Sequence, residues 1–146
     1  MKWTHPGGFE ADDDLARIDV DVVHGFLSTS YWATGIPREL VAQALAGSLN
    51  VGVYAADGAL VAFARAVTDR TTFAWIADVF VLPEYQGHGL GKFVVATLLE
   101  HPELQGLRSM MLATNDAHEL YRRHGFTEVD PGNVMALRHK PTDLYR

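Results

Sequence analysis

Seven consecutive residues carry the strongest chemical signal in the chain: Gln86-Gly87-His88-Gly89-Leu90-Gly91-Lys92. Three glycines in five positions let the loop take positive φ and let an anion approach the main chain where no Cβ intervenes. The apolar run Val79-Phe80-Val81-Leu82 and Pro83 come before the loop, and an apolar helical pattern follows it. Strand, glycine loop and helix together aim backbone N–H groups at a phosphate, and the helix N-terminus adds roughly half a positive charge. Lys92 supplies a mobile full charge just inside that helix. The chemistry this suits is pyrophosphate binding, and spacing excludes two familiar forms of it. A Walker A loop ending on Gly91-Lys92 would need glycine at Gln86 and a hydroxyl at Phe93. The dinucleotide fingerprint would need its third glycine at Lys92 or at Val94.

Asp78 is the second signal, a carboxylate inside a strand-like apolar run. Strict alternation places it on one face with Ile76 and Phe80. Burial there would raise its pKa, so Asp78 is a candidate general base or a structural acid serving a hydroxyl, an amide or an arginine. With the preceding turn centred on Asp69-Arg70, Val61 faces Asp78 and Arg65 faces Ala74. That register leaves Asp78 without a pairwise counter-ion unless a β-bulge shifts it. Tyr31-Trp32 forms a pair of adjacent aromatics in a loop, either buried or offered to an acceptor through stacking and cation–π contact. The run Asp12-Asp13-Asp14 lacks the spacing of a calcium loop and reads as a solvated stretch.

Composition narrows the classes. The 146 residues suit one domain across 1–146, and 48% hydrophobic residues with a mean hydropathy near zero suit a soluble globular protein. A formal net charge of −6 argues against non-specific nucleic-acid binding. The absence of cysteine excludes disulfides, thiolate metal sites and a cysteine nucleophile. No segment has membrane-spanning length and the N-terminus lacks an apolar leader, so a cytoplasmic location is expected. His118-Glu119 does not extend to a His-Glu-x-x-His metal motif, because Arg122 occupies the second histidine position. No Gly-x-Ser-x-Gly elbow occurs, and no metal is expected.

The elements that position these residues follow from periodicity. After an irregular start, with a short strand within 8–11 or 15–20, residues 21–27 form a helix capped by Asp19 or Asp21. A second helix begins at Pro37, with Leu40, Val41, Ala44, Leu45 and Leu49 on one face. Strands are expected over 50–56, 59–68 and 71–82, joined by turns at Asp57-Gly58 and Asp69-Arg70, which makes this part antiparallel. Residues 89–100 form a helix stopped by His101-Pro102, and 108–114 a central strand reached by a parallel crossover. A short helix follows, closed by Gly125 with Phe126 as its apolar clamp. A last strand over 134–137 is expected to pair with 126–129.

The pattern Gln86-x-x-Gly89-x-Gly91 after a Val-x-Val strand resembles the acetyl-CoA loop of the GNAT acyltransferase superfamily. Downstream, Leu120-Tyr121-Arg122-Arg123-His124-Gly125-Phe126 is similar to the Leu-Tyr-x-x-x-Gly-Phe segment of that family's last helix. With the element order, the resemblance covers the chain from about Asp14 to Leu137. It implies a mixed α/β fold: a mostly antiparallel central sheet with one parallel, splayed strand pair, flanked by about four helices. It implies a small bacterial-type N-acetyltransferase that moves an acetyl group from acetyl-CoA to a primary amine, on a small molecule or a peptide. A homodimer is a family-level expectation, and no nucleic acid or membrane partner is implied. Acetyl-CoA would lie between the splayed strands, its pantetheine arm along Val79, Phe80 and Val81 and against Asn115. Gln86, Gly87, His88, Gly89, Leu90, Gly91 and Lys92 would hold its pyrophosphate. Tyr121 would face the thioester sulfur as general acid, and an N–H of Val79 or Val81 would stabilise the oxyanion. His118 and His124, one turn either side of Tyr121, read as incidental. A CoA-binding or regulatory module without turnover is the alternative reading.

Overall fold

The computed structural model describes residues 1–146 and contains one six-stranded sheet whose strand order follows the chain. Strands β1 (Lys2–Thr4), β2 (Glu10–Asp12), β3 (Leu49–Tyr54), β4 (Leu60–Thr68) and β5 (Phe73–Val81) pair antiparallel with their neighbours. Strand β6 (Ser109–Met111) is parallel to β5 and forms the sheet's edge, not a central strand. Helices α1 (Val20–Leu27) and α2 (Arg38–Ala46) come between β2 and β3, and α3 (Leu90–Glu100) makes the crossover from β5 to β6. The short α4 (His118–Arg122) and α5 (Pro141–Leu144) complete the chain. This mixed α/β sheet, mostly antiparallel with one parallel pair and flanked by helices, is the architecture expected, with a fifth helix added.

Two apolar layers sandwich the sheet, so β3 is buried along its whole length. On one face the small side chains Ala62, Ala64 and Ala66 of β4 let α3 approach closely through Val94 and Leu98. On the other, Phe63, Tyr54 and Phe80 pack against Val23 and Leu27 of α1 and Val41 and Leu45 of α2. Asp19 caps α1 by accepting from the N–H groups of Asp21 (3.1 Å) and Val22 (3.3 Å).

Several local expectations are corrected. Residues 2–4 form β1, paired with β2, where the sequence reads as irregular, and Leu15–Arg17 is a 3-10 turn. Residues 126–129 and 134–137 form no strand. Met135 and Leu137 are 95% and 91% exposed there, so no surface packs against this apolar run. Strand propensity reports packing on a half-buried surface, and two four-residue segments without one do not hold a hairpin.

The β4–β5 turn sets the register on which the site depends. Asp69 accepts from the N–H groups of Thr71 (2.9 Å), Thr72 (2.7 Å) and Phe73 (3.3 Å), and from the Thr72 hydroxyl (2.6 Å). These donors hold its carboxyl well below the usual carboxylate range. A depressed folded-state pKa contributes stability that is present above the unfolded value near 3.9 and is lost as pH falls below it. Asp69→Ala is therefore expected to lower Tm at neutral pH, and its gap from the parent chain to narrow below about pH 4. A gap in Tm that stays constant from pH 7 to pH 3 would show that the charge does not hold the turn.

Candidate active site

Strand β5 is broken in phase at Asp78, which takes φ +56°, in the left-handed region that Asp tolerates better than most residues. Its pairing with β4 runs Phe63 opposite Phe80, then Arg65 opposite Ala77, so β5 carries one extra residue at this point. The bulge reverses the faces of the strand. Before it, Ala74 and Ile76 pack toward α3; after it, Val79 and Val81 do, while Phe80 joins the opposite layer. Ile76 and Phe80 thus lie on different faces, which corrects the simple alternation.

The same shift gives Asp78 the counter-ion that the unbulged register denied it. Arg65 donates from Nε to Asp78 Oδ2 at 2.5 Å and from Nη1 to Ser48 Oγ at 2.9 Å. Trp32 Nε1 donates to the other carboxylate oxygen, Oδ1, at 2.8 Å. Both Asp78 oxygens are therefore engaged, and the α1–α2 loop is tied to the bulge through Trp32. Phe26 stacks on Phe80 with centroids 4.2 Å apart, and Trp32 lies 6.2 Å from Phe26. Tyr31, edge-on to Trp32 at 5.0 Å, is 54% exposed at the mouth of the site, which places it in reach of solvent rather than in the core.

Beyond the bulge the sheet splits. Strand β6 pairs with Phe73, Ala74 and Trp75 only, and the chain then leaves along Leu112–Asn115. Leu82 N–H donates to Val61 O (2.9 Å) on the β4 side. Because N–H directions alternate along a strand, those of Val79 and Val81 point the other way, into the split. A cleft of about 480 Å³ opens there, lined among others by Tyr31, Trp32, Asp78, Val79, Asn115 and Tyr121. A second cleft of about 380 Å³ lies on the far side of 112–115, with Tyr121 and His118 in its wall.

Tyr121 stands where the two clefts meet, on α4, with 8% of its surface exposed. Gly125 at φ +92° turns the chain so that Phe126 N–H reaches Tyr121 O (3.2 Å) and its ring packs edge-on to Tyr121 at 5.9 Å. Burial pushes the Tyr121 hydroxyl up to about 12, with Asp116 and Tyr31 adding to the rise. The hydroxyl is neutral at any physiological pH. Neighbouring His124 has its Nε2 buried without a partner.

The glycine loop lies past the end of β5, outside the walls of both clefts. Pro83–Tyr85 forms a 3-10 turn, Gly87 (φ +90°) and Gly89 (φ +74°) take left-handed conformations, and α3 begins at Leu90. None of the N–H groups from Gly87 to Lys92 donates to a backbone carbonyl; the first helical bond is Phe93 N–H to Gly89 O at 3.0 Å. Six successive donors, three on the exposed loop and three in the first turn of α3, thus have no partner within the protein. A Cβ on Gly91 would meet Val81 Cγ2 at 3.8 Å, so the helix start sits directly against the end of β5. His88 packs on Phe9 (5.6 Å) from the β1–β2 turn. Gln86, also exposed, precedes these donors.

Sequence reasoning missed Arg65 as the partner of Asp78, as well as Asp116, Arg138 and His139 in the main cleft. A bulge leaves no pattern in residue types, and the last three sit on segments without regular periodicity.

The model of the acetyltransferase (GNAT) family matches residues 26–126. A Gibberella zeae protein named as an acetyltransferase is 31% identical, over 85% of this chain and 81% of its own length. Further relatives named as N-acetyltransferases, from red algae, are matched over shorter stretches, and the chain spans only 43 to 47% of their length. The crystal structure of a GNAT-family protein from Xanthomonas campestris pv. campestris superposes with a TM-score of 0.89 and 42% identity, covering 94% of this chain and 96% of that one. A Mycobacterium tuberculosis protein crystallised in complex with CoA shares the fold at a TM-score of 0.67 and 24% identity, over 86% of this chain and 76% of that one.

The Arg65–Asp78 pair is mostly buried, with side-chain exposures of 17% and 10%, so removing one partner strands a charge. Arg65→Met is expected to cost about 3–5 kcal/mol in urea denaturation, and Arg65→Met/Asp78→Asn to recover part of it. An unchanged midpoint for Arg65→Met would show that the pair does not hold the bulge.

Proposed function

From the premise that the chain belongs to the GNAT acetyltransferase family, we propose that it transfers an acetyl group from acetyl-CoA to a primary amine by direct attack on the thioester. The observation that carries this reading is the run of six unpaired amides at Gly87–Lys92, set at the end of a split strand pair with Tyr121 beside it. The donor set fits CoA. Unpaired N–H groups at a helix start, with Lys92 nearby, suit a pyrophosphate. The N–H groups of Val79 and Val81, facing the split, suit the amide-bearing pantetheine arm as an added strand would. A solved neighbour of the same fold holds CoA.

The reaction balances as follows. The acceptor ammonium first releases a proton to water. Its nitrogen then forms a bond to the thioester carbonyl carbon and gives up its second proton to water, the C–S bond breaks, and the sulfur leaves as a thiolate that takes up a proton from water. A strand N–H aimed into the split supplies a preorganised donor for the charge that develops on the carbonyl oxygen. Holding both reactants in one cleft supplies much of the rate enhancement.

The role of Tyr121 follows from magnitudes. Burial pushes its hydroxyl up to about 12, well above a free thiol near 8.5, so it is more readily a hydrogen-bond donor to the sulfur than a full proton donor. Tyr121 therefore acts as a neutral hydrogen-bond donor that steadies the departing thiolate, and water returns the proton. Asp78 acts as a structural acid, because each of its oxygens already accepts a bond. The cleft beside Tyr121 is open, with Tyr31 exposed at its mouth, which favours turnover over a silent CoA-binding module.

Thiol release measured with an amine panel tests the activity. Tyr121→Phe is expected to lower kcat about 10- to 100-fold while acetyl-CoA affinity stays within about twofold, since one hydrogen bond to a charged group is lost late in the reaction. A raised pKa keeps the hydroxyl protonated until pH approaches 12, so the pH–rate profile below pH 10 carries no limb that Tyr121→Phe removes. Unchanged kcat at saturation would remove Tyr121 from the chemistry. Gly89→Val, forced into φ +74°, is expected to weaken acetyl-CoA binding at least about 10-fold in calorimetry. Binding as tight as the parent's would place the pyrophosphate elsewhere.

A further inference from the structure

The charges lining the main cleft point to a class of acceptor. Four ionisable side chains other than tyrosine face it: Asp78, Asp116, Arg138 and His139. Asp78 is neutralised by Arg65 and also bonded to Trp32, so it offers no free negative charge to a ligand. Asp116 and Arg138 make no ion pair with any group of the protein, nor with each other. The cleft thus presents one unpaired carboxylate and one unpaired guanidinium. The main chain at Asp116 is held by Thr114, whose Oγ1 accepts from the N–H groups of both Asp116 (3.4 Å) and Ala117 (3.0 Å). Arg138 lines both clefts and so reaches the same junction that Tyr121 occupies. Tyr31 and Trp32 add aromatic surface to the same cleft.

We propose that the acceptor is a small amine that also carries an anionic group, its ammonium received by Asp116 and its carboxylate or phosphate by Arg138. This rests on the acetyltransferase reading of the same cleft. A simple cationic amine would be drawn by Asp116 and repelled by Arg138, and a carboxylate or phosphate without an amine would meet the reverse. A molecule bearing both charges satisfies both groups. The guanidinium, planar with parallel donors, suits a carboxylate or a phosphate alike. Tyr31 and Trp32 then cover the ammonium end by cation–π contact. A cleft of about 480 Å³ holds a molecule of this size alongside the end of a pantetheine arm.

Calorimetric titration of the full chain, preloaded with CoA, tests this without requiring turnover. The probes are L-α-amino acids, their methyl esters, phosphoethanolamine and n-butylamine. The expected result is that one or more amino acids, or phosphoethanolamine, bind at least about 10-fold more tightly than the ester or the alkylamine. The amino-acid and phosphoethanolamine arms distinguish a carboxylate from a phosphate. Arg138→Met should erase that preference, with ester and alkylamine affinity no weaker than in the parent chain. Asp116→Asn should weaken every amine, and in thiol release should raise KM more than it lowers kcat. Esters or alkylamines binding as well as, or better than, the charged probes would overturn the proposal, as would a preference that survives Arg138→Met. Binding by none of the probes overturns it too. Failure of CoA itself to bind would instead overturn the acetyltransferase reading, so the two failures are distinct.

Discussion

The site depends on one backbone conformation, the left-handed turn at Asp78 inside β5. It is tolerated because Asp is among the few residues that visit this region and because Arg65 and Trp32 occupy both oxygens of its side chain. The extra residue reverses the faces of the strand, so Val79 and Val81 pack toward α3. Their amides face away from β4, toward a neighbour that has already ended. A regular β5 would have put Phe80 with Ile76 against α3 and turned its amides the other way. The bulge also anchors the aromatic loop between α1 and α2 through Trp32, so the acceptor wall and the donor strand are held by one carboxylate.

From this constraint the remaining parts fall into place by simple physical rules. A strand pair that separates leaves amide donors that must find partners, and a glycine loop at its end leaves six more. Tyr121 is buried where the separation occurs, which raises the pKa of its hydroxyl and keeps it neutral. The proposed acetyl transfer asks correspondingly little of the protein: alignment, a preorganised dipole for the carbonyl oxygen and one donor for the sulfur. No side chain in the cleft needs to act as a nucleophile.

Much of this was legible in the residues. Periodicity located α1, α3 and the hairpins within two residues, because their apolar faces repeat strongly, whereas α2 ends at Ala46 and its expected face residue Leu49 opens β3 instead. The glycine spacing and the tyrosine–glycine–phenylalanine segment pointed to the family that the comparisons show. What stayed hidden was non-local. A bulge is set by pairing across β4 and β5, so the Arg65–Asp78 pair could not be read from a regular register. The apolar Val134–Leu137 run has no surface to lie on, and β6 is an edge of three residues. Asp116 and Arg138 gain meaning only when folding brings residues 22 apart in the chain to one cleft.

The central claim is that CoA is held by backbone donors at two places, the split face of β5 and the glycine loop. Residue-resolved amide hydrogen exchange, with and without CoA, measures those donors directly. The account predicts new protection at Val79 and Val81 and across Gly87–Lys92, with β1 and β2 unchanged. CoA binding that leaves these amides exchanging at their free rates, or that protects a different stretch, would contradict it.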